Sequence, residues 1–436
     1  MQTIRESIAN IQLEKLNELL KFAAQHNFFY QQKLAEINLP LNSLTELSGL
    51  PFTTKKELVR DQNDYPQYGK NHSFSQEEYV RYHQTSGTTG KPLKILDTPE
   101  SWDWWANCWV QVLKAAGVTK KDRVFLAFSF GPFIGFWAAY EGVKKFGAMA
   151  IPGGGQNSLE RLQSIINNKA TVLVCTPSYA LHLDEIAKEN GINLRETAIH
   201  TTIHAGEPGA SVPAVRSRIE EIWGAHCYDH SGMTEMGAYG YSCVKQVGLH
   251  VNEEEFIAEV IDPEKLQPVG PNEKGELVLT NLGRFGYPVI RYRTHDLVIN
   301  NPEACSCGNP HLLLPGGILG RSDDMVVVRG VNIFPPSIEA IIRGFPQVQE
   351  FRIVFSTVAG MDQIRVEIEL DDSLPKEAVE VLLGTLTVRL RERIGLRIDV
   401  ELKGYHELPR FEMKARRTVD MRSHLSTSCV NQVVSG

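Results

Sequence analysis

Apolar residues recur near a 3.6-residue period at Ile11, Leu13, Leu16, Leu19, Leu20, Phe22 and Ala23, which predicts a helix over residues 4–37. Pro51-Phe52-Thr53-Thr54 followed by Lys55, Lys56 and Glu57 reads as a helix start with Thr53 or Thr54 as its N-cap. From about residue 120 to 300, short apolar runs alternate with amphipathic segments. The runs 124–128, 149–152, 172–175 and 201–204 read as buried strands, and 159–167 and 179–189 as helices between them. That alternation predicts an α/β region with a largely parallel sheet. Trp102, Trp104, Trp105 and Trp109 recur at helical spacing, which core packing explains without a ligand.

Beyond residue 252 the pattern changes. Residues 256–262 and 275–280 read as antiparallel strands joined by Pro- and Gly-rich turns. From about 323 a separate α+β module begins, with strands at 325–328, 350–355 and 364–370 and helices at 337–343 and 376–394. The expected organisation is a large α/β domain over 1–322, with mixed sheets flanked by helices, and a small α+β domain over 323–436. Residues 423–436 read as a loose tail.

Composition narrows the function classes. Of 436 residues, 42% are hydrophobic and 22% charged, and the formal charge of −7 leaves no footprint for nucleic acid or for a membrane surface. The uncharged run 124–140 is short for a membrane span and is broken by Gly131-Pro132, so it reads as strand, loop and helix. The first residues lack a signal-peptide pattern, and the seven cysteines read as reduced thiols of a cytoplasmic protein.

The stretch Thr85-Ser86-Gly87-Thr88-Thr89-Gly90-Lys91-Pro92 concentrates the chemistry. Four hydroxyls, two glycines that free backbone N–H groups and one ammonium make a clamp for a polyphosphate. The spacing is not that of a Walker A loop. Taken alone, the run also describes a polar surface turn. Four further stretches accompany it: Tyr228-Asp229-His230-Ser231-Gly232-Met233-Thr234-Glu235, Tyr292-Arg293-Thr294-His295-Asp296, Gly320-Arg321-Ser322-Asp323-Asp324 and Arg410-Phe411-Glu412-Met413-Lys414.

In this order the five stretches resemble the signature motifs of the adenylate-forming superfamily, and within it the phenylacetate–CoA ligase family. Phe28-Phe29-Tyr30, Pro288-Val289-Ile290-Arg291-Tyr292-Arg293-Thr294 and Arg329-Gly330-Val331-Asn332-Ile333-Phe334-Pro335 add to the resemblance, which spans about residues 10–420. It implies a ligase that joins a carboxylic acid to coenzyme A through an acyl-adenylate, releasing AMP and pyrophosphate from ATP, on an aryl or arylacetic acid. It also implies the roles. Thr85, Ser86, Gly87, Thr88, Thr89, Gly90 and Lys91 would hold the phosphates. Thr234 would donate to the α-phosphate and Glu235 would bind Mg²⁺. Gly206 and Glu207 would flank the adenine, with Tyr228 and Asp229 beside them. Asp296 would accept from the ribose, with Arg321 close by. Lys414 would bridge carboxylate and phosphate, carried by rotation of the small domain about a hinge at Asp323.

Two positions depart from that pattern. Ser231 stands where the family has an aromatic that stacks on adenine, and His295 where it has glycine. The acid pocket is assigned to Phe133, Phe136, Trp137, Ala205, Ser231 and Gly232, whose apolar and aromatic walls suit a flat acid. For Phe133 to Trp137, helix core packing is the competing explanation.

Cys243, His250, Cys305 and Cys307 suit a closed tetrahedral zinc site, with three buried thiols and a satisfied histidine as the alternative. The family resemblance implies a structural zinc. Two other functions stay open at this point: an adenylating enzyme whose acceptor is a carrier-protein thiol or an amine, and a non-catalytic nucleotide-binding protein. A monomer and a homodimer are equally compatible with the sequence.

Overall fold

The computed structural model describes residues 2–85, 91–329, 331–358, 361–371, 374–411, 415 and 417–422. They form two compact units, one ending at Asp323 and one beginning at Asp324.

The first unit is built on an eight-stranded sheet. Its order is Leu313–Pro315, Gly248–Val251, Gly237–Tyr241, His226–Met233, Thr201–His204, Val172–Cys175, Arg123–Leu126 and Met149–Pro152. The last five strands run parallel and the first three are antiparallel additions. Val172–Cys175 and Thr201–His204 are buried along their whole length, as central strands of a covered parallel sheet should be. The four tryptophans of the helix Pro99–Ala115 are buried in the same core.

The predicted helix over 4–37 is two helices, Gln2–His26 and Phe28–Lys33. Asn27 divides them. Its side-chain oxygen accepts from Tyr30 N at 3.1 Å, and its amide donates to Asn71 and Ser73 at 3.1 Å each. The short polar side chain thus caps the second helix instead of continuing the first. Ile11, expected on the buried face, is exposed.

Tyr30, inside this second helix, is fully buried. Its hydroxyl lies 3.0 Å from Thr53 Oγ1 and accepts from Ile290 N at 2.8 Å. Thr53 then pairs with the strand Tyr292–Ile299: its N–H donates to Arg291 O, and Arg293 N–H donates to Thr53 O, both at 2.9 Å. Thr54 caps the helix Lys55–Asp64 with a complete capping box to Glu57, worth about 1 kcal/mol. These contacts fix the start of that helix, and with it Lys55, beside the strand Tyr292–Ile299.

A second sheet of four antiparallel strands follows the order Phe256–Ile261, Lys274–Asn281, Tyr292–Ile299 and Gly320–Arg321. Its register sets Asp296 opposite Arg321. The unit beginning at Asp324 has its own core and a four-stranded sheet, Val348–Val358, Met361–Leu370, Asp399–Leu402 and Thr418–Asp420. The helices Pro335–Arg343 and Lys376–Ile394 contribute to that core. Arg417 closes on Glu350 in a buried ion pair beside the last strand.

Candidate active site

The strand His226–Met233 ends in a tight turn through Thr234, Glu235 and Met236, closed by Met236 N–H donating to Met233 O at 3.1 Å. Gly232 fits closely there, since a Cβ would lie 3.0 Å from Gly237 O and the turn would have to give by a few tenths of an ångström. The turn delivers Glu235 into a buried position. Tyr292 OH donates to Glu235 Oε1 at 2.8 Å, and Lys55 Nζ stands 3.9 Å from the same oxygen. Burial, then the Glu235 charge, push the Tyr292 phenol far above its ordinary range, so it is a neutral donor at any physiological pH.

Asp296 is the second buried carboxylate. Its Oδ1 accepts from Arg321 at 3.2 Å and its Oδ2 from Tyr239 OH at 3.4 Å. Ser231 Oγ in turn donates to Tyr239 OH at 2.7 Å. Arg321 also closes a two-pronged pair with Asp323, 2.8 Å at each prong, at the last residue of the first unit. Four sequence-predicted residues, Ser231, Asp296, Arg321 and Asp323, therefore form one hydrogen-bonded chain through Tyr239.

His295 takes a left-handed backbone conformation, φ +63°, where the ladder to Lys274–Asn281 shifts register between Glu276 and Val278. The irregularity is a β-bulge that turns Asp296 toward Tyr239 and Arg321. The imidazole is turned to Ser322, 3.2 Å from its Oγ, and its side chain is about 30% exposed.

The other predicted positions are dispersed in their contacts. Ser86, Gly87, Thr88, Thr89, Gly90 and Lys414 lie outside the described residues, as does the side chain of Phe136. Thr85 anchors one end of the stretch 85–92, its Oγ1 accepting from Leu93 N at 2.9 Å, and Lys91 reaches Asn63 at 3.2 Å. Gly206 has φ +95°, and Glu207 accepts from Ser178 N at 2.8 Å. Tyr228 and Asp229 are buried. Asp229 takes its hydrogen bonds from Ser211 and the N–H of His230, and burial raises its carboxyl to about 6. Trp137 donates to Gly131 O at 2.9 Å and meets Phe130 edge-on, while Phe133 and Ala205 are half-buried.

Residues 30–284, more than half of the chain, match the AMP-binding enzyme family. The chain belongs to that family. Residues 330–422 match the AMP-binding enzyme C-terminal domain. The chain is 32% identical to the phenylacetate–coenzyme A ligase of Pseudomonas putida, over 96% of this chain and 95% of that one. It is 30% identical to the Thermus thermophilus enzyme of the same name, over 96% and 97%. A crystal structure of 2-hydroxyisobutyryl-CoA ligase with its acyl-adenylate superposes with a TM-score of 0.88 at 30% identity, covering 94% of this chain and 88% of that one. A benzoate CoA ligase from Burkholderia xenovorans LB400, 18% identical with a TM-score of 0.60 over 78% and 68%, shares the fold.

This AMP-binding enzyme also brings Cys243, His250, Cys305 and Cys307 together, with ligand atoms within 4.8 Å of one another. Cys243 and Cys305 sulfurs are 3.8 Å apart, and Cys307 Sγ is 3.6 Å from His250 Nε2. A tetrahedral ion with bonds of about 2.3 Å to sulfur has edges of about 3.8 Å, so the donor set and its spacing fit zinc. His250 Nδ1 is 3.0 Å from the His311 carbonyl, which fixes the tautomer and leaves the Nε2 lone pair facing the thiols. Among the described residues, no helix is long and apolar enough to cross a membrane.

Lys55, Tyr239, Tyr292 and Arg284 were not singled out by the sequence. Tyr292 stands inside a quoted motif, and Lys55 in the predicted helix start, but their shared partner Glu235 is 57 residues from Tyr292.

Proposed function

We propose that this chain joins a carboxylic acid of the aryl or arylacetic class to coenzyme A in two steps. The acid carboxylate attacks the α-phosphorus of ATP, pyrophosphate leaves and an acyl-adenylate forms. The CoA thiol then attacks the acyl carbon and AMP leaves with the C–O bond electrons. Membership of the AMP-binding enzymes, at 30–32% identity to full-length phenylacetate–coenzyme A ligases, supports the ligase class.

The single observation that carries the chemistry is the placement of Glu235 and Asp296. Both are buried carboxylates, and each meets a tyrosine hydroxyl and a cation: Tyr292 and Lys55 at Glu235, Tyr239 and Arg321 at Asp296. Glu235, held by the Tyr292 hydroxyl with Lys55 3.9 Å away, offers carboxylate oxygen to a hard cation. Asp296 is oriented by Arg321 and Tyr239, with capacity to accept from vicinal ribose hydroxyls. Thr234, one residue before Glu235, supplies a hydroxyl donor for the α-phosphate. Mg²⁺ bound with ATP would neutralise phosphate charge at Glu235. Ser86, Thr88, Thr89 and Lys91 would grip the outer phosphates. Catalysis of this kind is mostly positioning and electrostatics.

Lys414 would bridge the attacking carboxylate and the α-phosphate, as a compact charge on a long stem. The module 323–436 would bring it in and out by rotation about Asp323. Zinc at Cys243, His250, Cys305 and Cys307 would be structural, since four protein ligands leave no open position. The test is Lys414→Ala. Acid-dependent pyrophosphate release should fall by orders of magnitude, while transfer from a supplied acyl-adenylate to CoA should persist. Unchanged adenylation would overturn the assignment.

A further inference from the structure

A fully buried ion pair lies behind the Thr234–Glu235 turn. Arg284 Nε and NH2 donate to the two Asp97 oxygens at 2.7 and 2.6 Å, and both side chains are 0% exposed. The remaining amino group, NH1, donates to the carbonyl oxygens of Thr234 at 2.9 Å and Glu235 at 3.1 Å. The guanidinium carbon lies 5.3 Å from the Trp105 ring and 5.6 Å from the Tyr287 ring.

Stability alone does not account for such a pair. Two charges removed from water recover little, and a well-packed apolar pair of the same volume serves a fold as well or better. The geometry of the third nitrogen supplies the reason. The Thr234 and Glu235 carbonyls sit in the turn between the strands His226–Met233 and Gly237–Tyr241, outside both. Buried carbonyls need donors. A guanidinium gripped at two points by a carboxylate has a fixed plane, so the direction of its last amino group is fixed too. A lysine ammonium has no such plane.

Asp97 has a second connection. It ends the strand Lys94–Asp97, which follows directly on the polyphosphate stretch 85–92. The pair therefore ties the segment leaving the phosphate stretch to the turn bearing Thr234 and Glu235, two pieces of chain far apart in sequence.

We infer that Arg284 and Asp97 are positioning residues for adenylation: they hold the Thr234–Glu235 turn in register with the phosphate-binding segment. The inference rests on the reading that Thr234 and Glu235 act on the nucleotide. Neither Arg284 nor Asp97 touches the reacting atoms.

The experiment compares Arg284→Lys, the doubly apolar variant D97L/R284M, and Glu235→Gln as a control. Each is assayed for acid-dependent pyrophosphate release over a Mg²⁺ titration at saturating ATP, with thermal unfolding alongside. Arg284→Lys keeps one contact to Asp97 but cannot also reach the two carbonyls. It should lower kcat by about thirtyfold or more, because a displacement near 1 Å costs up to about a hundredfold. The Mg²⁺ half-saturation should rise severalfold, with Tm close to the parent's. D97L/R284M should fold and show the same loss; if it does not fold, Arg284→Lys decides alone. Parental kcat and Mg²⁺ dependence in Arg284→Lys overturns the inference. So does a kcat loss that tracks Tm while the Mg²⁺ half-saturation stays put, which is the signature of a purely structural pair. Parental activity in Glu235→Gln would instead sink the underlying reading of the turn, and the inference with it.

Discussion

Tyr292 donates its phenolic hydrogen to Glu235 Oε1 across 2.8 Å, with both groups buried. A hydrogen bond to a charged acceptor contributes roughly 1.5–3 kcal/mol. If that bond aims the carboxylate, Tyr292→Phe should lower the adenylation rate about tenfold or more and raise the Mg²⁺ requirement, without unfolding the chain. Steady-state kinetics over a Mg²⁺ series checks this; an unchanged rate would mean that Glu235 needs no such partner.

His295 makes a different kind of prediction. Its φ of +63° lies in the region that glycine occupies freely, that histidine tolerates and that a β-branched residue resists. His295→Gly should leave stability equal or raise it by up to ~1 kcal/mol, and His295→Val should lower it by ~2 kcal/mol. Denaturant midpoints for the three chains give the answer. A valine variant as stable as the parent would show that the bulge can relax.

Acid should unfold this protein through its buried histidines. His83, His204 and His230 are each lowered to about 4, in every case chiefly by burial. Their folded values lie below the unfolded value of 6.5, so the stability they contribute is present above pH 6.5 and is lost as pH falls toward 4. Each can withdraw about 3 kcal/mol at full titration. Asp229 acts the other way. Burial raises its carboxyl to about 6, so the folded state holds that proton between pH 6 and about 4 and gains as pH falls. One such group does not offset three. The denaturant midpoint should drop between pH 6.5 and 4.5, and His230→Gln, if it folds, should flatten the slope; a flat parent profile would contradict the burial argument.

For the metal site, purified protein should carry about one zinc per chain by elemental analysis. Cys305→Ser with Cys307→Ser should abolish it and lower Tm, with any loss of activity following the loss of fold. Parental Tm in a zinc-free double variant would leave the tetrad as buried thiols.

Much of this architecture was legible because some signals are local. Residues 172–175, Val-Leu-Val-Cys, are an unbroken apolar run, the mark of a strand covered on both faces. The bounds 149–152 and 376–394 match the sequence reading, but 149–152, expected as a buried strand, is an edge strand of its sheet with Met149 exposed. The tetrad could be picked out because a C-x-C pair and a separate Cys/His pair are the residue types of a zinc site, and the family resemblance implies one. What escaped depends on distant partners. The break at Asn27 is set by Asn71 and Ser73, 44 and 46 residues away. Arg284 and Asp97 are 187 residues apart, and no local pattern announces that pair. The departure at Ser231 was visible, but its hydroxyl link through Tyr239 to Asp296 required the sheets to be folded.

The most direct measurement is AMP and pyrophosphate release from Mg-ATP across a panel of acids, each with and without CoA. The panel should include phenylacetate, benzoate and 2-hydroxyisobutyrate, the last because of the ligase that shares this fold at 30% identity. Release should need both an aryl or arylacetic acid and CoA, with the thioester among the products. Acid-dependent pyrophosphate release that CoA neither accelerates nor converts to thioester would contradict it and point to a carrier-protein or amine acceptor.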